Sequence, residues 1–123
     1  MKNLMPLSDG KLMVKTYLDN KSKVFTGEFT LPNTETYDSE AFVALLNQPD
    51  CVQVRIHYGM NEDNVICAIF VGVDSLGNEI TIKNSGNLGN AAGTEEYVIE
   101  LSTKCPPTCS DVNDQSIKKL IWV

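Results

Sequence analysis

At 123 residues with no break in composition, the chain is read as a single domain, 1–123, long enough to bury its own core. Its 42% hydrophobic and 21% charged content is that of a folded globular protein. Ten basic against sixteen acidic residues leave a net charge of -6, with only Lys118-Lys119 adjacent among the cations, so the basic footprint of a nucleic-acid binder is absent. No run approaches the roughly 18 apolar residues of a membrane span. Met1 to Ser8 shows no long apolar stretch of a signal peptide. The expectation is a cytoplasmic protein with neither a nucleic-acid nor a membrane partner.

In chain order, Ser8 and Asp9 are placed to cap a first helix through Lys11 to about Asp19, with Val14, Tyr17 and Leu18 inward. The helix is preferred over a strand, although Leu12, Val14, Thr16 and Leu18 also alternate. Residues 23–31 are rich in β-branched and aromatic types and read as extended. Ser39 is predicted to cap a second helix whose buried face is Phe42, Leu45 and Leu46, stopped by Pro49. Val52, Val54, Ile56 and Tyr58 then alternate with Gln53, Arg55 and His57, the period of a strand with one apolar face. Val65 to Val73 is apolar on both faces, as in a central strand. Asp74 to Asn78 reads as a turn and Glu79 to Lys83 as a third strand. Asn84 to Gly93 is a Gly/Asn/Ala loop. Thr94 to Leu101 is a fourth strand with Tyr97, Ile99 and Leu101 inward, and the apolar end Leu120 to Val123 is expected to dock. The fold class is α+β: an antiparallel sheet of four or five strands, with the central hairpin at 52–73 and two helices on one face.

Three blocks carry a resemblance. Gln48-Pro49-Asp50-Cys51-Val52 leads into Arg55-Ile56-His57-Tyr58-Gly59; Val71-Gly72-Val73-Asp74-Ser75-Leu76-Gly77-Asn78 follows; Cys105-Pro106-Pro107-Thr108-Cys109 closes the series. In this order they resemble a group of small uncharacterised bacterial proteins of the kind found in Bacteroidetes, across roughly residues 39–109. The chain departs from that pattern at Asp50, where the group has Gly. The resemblance implies the order of elements and carries no activity, cofactor or catalytic residue.

Gln53, Arg55 and His57 form the candidate ligand-binding row. Arg suits an anionic group, and His57, the single histidine, suits a base or ligand. The competing reading is a polar strand face in water. Cys105 and Cys109 flank two prolines, which forbid the helix N-terminus of a C-x-x-C redox site, so the pair reads as free thiols or a local disulfide. If Gly59 faces Asn64, then Ile56 faces Cys67 and Cys51 falls opposite Gly72. Gln53, Arg55 and His57 then face Phe70, Ala68 and Ile66, with Cys51 and Cys67 on opposite faces and unable to bond. A structural zinc site would need Cys51 and Cys67 brought to the terminal pair. The Gly86–Gly93 loop lacks a phosphate loop's Lys-Ser/Thr, and neither Met60–Asn64 nor Asp74–Glu79 matches a calcium loop. No G-x-S-x-G is present. No metal, no cofactor and no catalytic residue is therefore assigned. The expected function is a non-enzymatic binding or interaction domain with a protein or small-molecule partner. The alternative is a small enzyme or thiol- or metal-dependent protein using Arg55 and His57 or the Cys105/Cys109 pair.

Overall fold

The computed structural model describes residues 1–24, 27–83 and 95–106. In chain order the described elements are α1 (Leu7–Val24), β1 (Thr34–Thr36), α2 (Ser39–Leu46), β2 (Gln53–Met60), β3 (Ile66–Val73), β4 (Glu79–Ile80), β5 (Ile82–Lys83), β6 (Glu96–Tyr97) and β7 (Thr103–Cys105). The class is α+β and the β2–β3 hairpin dominates it. The described strands form three small antiparallel sheets, β1–β7, β2–β3–β4 and β5–β6, where one sheet of four or five was expected. The division has a local cause. Ile80 and Glu79 pair with Gly72 and Val73, the chain changes direction at Thr81, and Ile82 and Lys83 pair instead with Tyr97 and Glu96.

Helix α1 begins directly after Pro6 and runs through Lys23 and Val24, so the extended reading of 23–31 fails at its start. Lys21 and Lys23 lie in its last turn, where cations suit the negative end of the helix dipole. Ser8 and Asp9 sit inside its first turn and not at its cap. Phe25 and Thr26 lie outside the described residues, and Thr30 makes a single bridge to Val65. Gly10, Val14, Tyr17 and Lys21 form the half-buried stripe, and Leu18 is exposed, contrary to expectation. Tyr17 donates to the Pro32 carbonyl at 2.8 Å and Lys21 to Asn33 Oδ1 at 2.9 Å, which ties α1 to the segment before β1.

Helix α2 has Asp38, not Ser39, at its N-cap, with extended backbone there. Its Leu45 is fully buried against Ile82 and Ile99, with Phe42, Ala41, Ala44, Cys51, Phe70 and Tyr97 around them. Tyr37, Phe42 and Phe70 meet edge to face at centroid distances of 5.0 to 5.7 Å, the arrangement the ring quadrupole favours. Leu46 was placed in this face and is exposed. Phe42 and Leu45 straddle the inward direction, and Leu46 is turned about 100° beyond Leu45.

The hairpin register differs from the expected one by three residues. Ile56 faces Phe70, Arg55 faces Val71, His57 faces Ile69, Gln53 faces Val73 and Gly59 faces Cys67. The turn is the reason. Asn61 bonds through its N–H to the Val65 carbonyl at 3.0 Å, leaving a three-residue loop in which Asn64 adopts a positive φ of 62°. The Asn61 side chain accepts the Asp63 and Val65 N–H groups. The turn after β3 repeats this chemistry: Asp74 N–H bonds to Asn78, its carboxylate accepts Leu76 and Asn78 N–H, and Gly77 takes φ 88°. Asparagine and glycine fill the left-handed positions, which other residues adopt with strain.

The register error reverses the faces of the two strands, yet Cys51 and Cys67 still lie on opposite sides. Cys51 precedes β2 and does not follow its alternation. Its sulfur lies against Gly72 and the Leu45 core, whereas the Cys67 sulfur lies toward Gly59. Both are free. Ile99 is buried and Tyr97 half-buried as expected, but Leu101 is 95% exposed, because its φ of 62° turns the chain over and ends the alternation. The loop Asn84–Gly93 and the end Leu120–Val123 lie outside the described residues. No described helix is long and apolar enough to cross a membrane.

Candidate functional site

The hairpin presents two different strands. In β3 every edge is occupied. The N–H of Ile66 bonds to the Thr30 carbonyl, that of Ala68 to the Glu35 carboxylate, and that of Phe70 to the Ile99 carbonyl, and Gly72 pairs with Ile80. These outward groups belong to even-numbered residues, so the odd-numbered residues of β3 bond to β2. The Asn61–Val65 bond places the same alternation on β2: Gln53, Arg55, His57 and Gly59 bond inward to β3. The N–H and C=O groups of Val54, Ile56, Tyr58 and Met60 therefore point away from the hairpin. β2 is an edge strand, and no described residue pairs with its outer side.

The two faces of β2 differ as well. One carries Gln53, Arg55 and His57. Glu79, on β4 beyond Val73, reaches this face: Arg55 Nη1 donates to Glu79 Oε2 at 2.8 Å, and His57 Nε2 lies 2.6 Å from the same oxygen. These two hydrogen bonds, Arg55's first, hold the Glu79 carboxyl below its ordinary range. Gln53 is exposed and stays outside this cluster. Arg55, His57 and Glu79 are each more than a third exposed, so their pairing is screened by water. An incoming anion would have to displace Glu79 from Arg55. Sequence reasoning missed Glu79 because its place depends on a two-residue strand.

The other face of β2 is apolar and in water: Val54, Ile56, Tyr58 and Met60 are all exposed, Tyr58 by 81%. Several apolar side chains in one row with an open backbone edge beside them is an arrangement that monomeric sheets avoid.

Among the described residues, two clefts lie on the far side of β3. One of about 310 Å³ is lined by Tyr37, Asp38, Ile99 and Glu100 among others, and one of about 390 Å³ by Ala41, Ala44, Ile82, Tyr97 and Ile99 among others. Neither contains Gln53, Arg55 or His57. Beside the first is a polar network that the sequence did not announce. Lys104, 6% exposed, bonds to Glu100 at 2.5 Å and to Ser102 at 2.9 Å, with Glu35 at 3.7 Å. Ser102 and Tyr37 both donate to Glu35, each at 3.0 Å, and Tyr37 stands within reach of the Ala68 carbonyl at 2.8 Å. Burial, reinforced by the Glu35 charge, pushes the Tyr37 hydroxyl up to about 12. Burial opposes ionisation of Glu100, but Lys104 and the Leu101 and Ser102 N–H groups outweigh it and hold that carboxyl low. The period-two spacing of Glu100, Ser102 and Lys104 was visible; their long-range partner Glu35 was not. These groups satisfy one another and close the edge of β3 at Ala68.

Cys105 is disulfide-bonded, and Cys109, the partner proposed from sequence, lies outside the described residues. Burial pushes the Cys67 thiol above its ordinary value, which makes it a poor nucleophile. Among the described residues no three His, Cys, Asp or Glu side chains converge as metal ligands would. Compared with known proteins, the chain matches no family model, no curated protein and no solved structure.

Proposed function

We propose that the protein is a non-enzymatic interaction module that docks an extended polypeptide segment along the outer edge of β2. The carrying observation is that edge: eight residues from Gln53 to Met60, paired among the described residues on one side, with its exposed apolar face beside it. β2 has none of the devices that protect a solvent edge. It contains no proline and no lysine and its register with β3 is unbroken, while its one guanidinium sits on the opposite face against Glu79. Adding a strand supplies main-chain hydrogen bonds for affinity and alternate side-chain positions for specificity.

The test is selection of binders from a random peptide library, followed by hydrogen exchange on the complex. Bound peptides with alternating apolar residues should slow exchange at the outward amides of Val54, Ile56 and Tyr58. Binders that protect the clefts beside Tyr37 and Ala41, and leave those amides open, would refute the reading.

The enzyme alternative has the Arg55–Glu79–His57 cluster in its favour, but the cluster lies outside both clefts and its donors are already engaged. The compartment is part of the proposal. The cytoplasm is retained, and disulfide-bonded Cys105 is the observation against it. Thiol counting on protein trapped at lysis decides: a reduced Cys105 supports the cytoplasm, and an oxidised one an external or periplasmic location.

A further inference from the structure

We infer that the segment docked on β2 is the β2 of a second copy of this chain, paired antiparallel about a two-fold axis through Ile56. The inference rests on the edge-docking reading and names its partner.

The register follows from the backbone. The outward N–H and C=O groups belong to the even-numbered residues, so a partner strand must match even to even. Centring the pair on Ile56 overlaps seven of the eight residues of β2, Gln53 to Gly59. It sets Ile56 opposite Ile56 of the second copy, Val54 opposite Tyr58 and Arg55 opposite His57; the Val52 N–H is donated inward to the Val73 carbonyl, so Met60 lies beyond the paired stretch. Centring on Arg55 would bring two guanidiniums side by side, and like charges directly opposite destabilise a sheet. Centring on His57 overlaps as many residues, Val54 to Met60, but sets the two His57 rings, each already held by its own Glu79, directly opposite each other. The Ile56-centred pair instead joins aromatic to β-branched side chains on the apolar face, the cross-strand combination that stabilises sheets. On the polar face each Arg55 keeps its own Glu79 and meets a histidine.

Helix α2 favours a second copy over a lone peptide. Its Ala41 and Ala44 flank faces Ile82 and Tyr97, beyond the far edge of β3. Val43 and Leu46 project from the opposite flank, toward β2, and are 56% and 54% exposed. A peptide strand would cover the edge and leave both in water. In the two-fold pair the two α2 helices lie over β3 strands three strand spacings apart, about 14 Å at ~4.8 Å each. Packed helices stand about 8–10 Å apart. The remaining gap has the width of a side-chain layer, and Val43 and Leu46 from each copy, above Ile56 and Tyr58, can fill it. The same patch then serves both copies, as a closed two-fold dimer requires.

Sedimentation velocity over a concentration series, with cysteine crosslinking, tests this. The wild-type chain should pass from monomer to dimer. Ile56→Lys, and separately Tyr58→Lys, should weaken the dimer roughly 100-fold or more by placing ammonium groups in the apolar face. Both positions are solvent-exposed, and an unchanged circular dichroism spectrum confirms a folded monomer. Ile56→Cys should crosslink to itself under mild oxidation, because directly opposed Cα atoms at about 5.5 Å lie within disulfide reach. Val54→Cys should crosslink to Tyr58→Cys and not to itself. A dimer indifferent to both lysines, or one that does not crosslink at Ile56, overturns the inference. A chain that stays monomeric at every concentration also overturns it; if selected peptides still protect Val54, Ile56 and Tyr58, the edge-docking reading survives that failure.

Discussion

β2 and β3 have equal length and share one hairpin, yet the chain uses them in opposite ways. β3 is paired along both edges, with Cys67, Val71 and Val73 buried on one face and Phe70 packed under α2 on the other. Among the described residues β2 is paired along one edge, and all its residues except Gly59 are exposed. The sequences foreshadow this: β3 is apolar at every position, and β2 alternates. Alternation usually means that one face meets the core. Here the apolar face of β2 is exposed and no described strand pairs beside it, which is the observation behind the proposed docking edge.

The contrast can be broken from the β3 side first. Leu45→Ala removes the fully buried residue beneath α2 and should cost about 2–5 kcal/mol in denaturant unfolding. Ile56→Ala, measured in dilute monomer, should cost less than about 1 kcal/mol. Equal losses would mean that β2 is already buried.

Next comes the network that closes β3 at Ala68. Lys104→Ala leaves Glu100 and Glu35 close together without their cation and should cost about 3 kcal/mol, near the lower end for a broken buried pair because both carboxylates keep some water. Breaking β2's exposed cluster with Arg55→Ala should cost less than about 1 kcal/mol. Thermal melts of the two variants check the ratio.

A smaller contrast lies in two glycines. A methyl group at Gly72 would meet Ile80 Cγ1 at 2.7 Å and the Cys51 sulfur at 2.8 Å, so Gly72→Ala should cost about 1–3 kcal/mol. At Gly59 the close neighbour is the mobile end of Ile69, and Gly59→Ala should cost under about 1 kcal/mol.

The smallest expected effects are those of pH. Glu100 is held below its ordinary 4.5, so its contribution is complete above that value and is lost as pH falls through the lower folded value. Tyr37 is raised from 10.0 to about 12, so its contribution is complete below 10.0 and is lost as pH rises toward about 12. Glu100→Gln should flatten the acid limb of stability against pH, and Tyr37→Phe the alkaline limb. An unchanged limb in either variant would place the cause elsewhere.

Much of this frame was legible in the residues. The alternation from Val52 to Tyr58, the apolar run to Val73 and the helix formers around Leu45 gave the elements and the fold class. The register was not legible, because it turns on Asn64 adopting a left-handed conformation and Asn61 bonding back to Val65. The β1–β7 pair was missed because each strand is three residues long and its partner is distant in sequence. Beside the row Gln53, Arg55 and His57 stands Glu79, which was missed for a related reason: it reaches Arg55 and His57 only because β4 pairs with Val73. That β2 is an edge among the described strands depends on which strands pair with β3, and no local pattern reports that.

Amide hydrogen exchange along β2, followed from dilute to concentrated protein, tests the central claim most directly. The inward amides of Arg55, His57 and Gly59 should be protected throughout. Those of Val54, Ile56 and Tyr58 should exchange freely when dilute and become protected as the edge is covered, by a second copy or by a selected peptide. Protection of the even-numbered amides in dilute protein alone, or free exchange under every condition, would contradict the account.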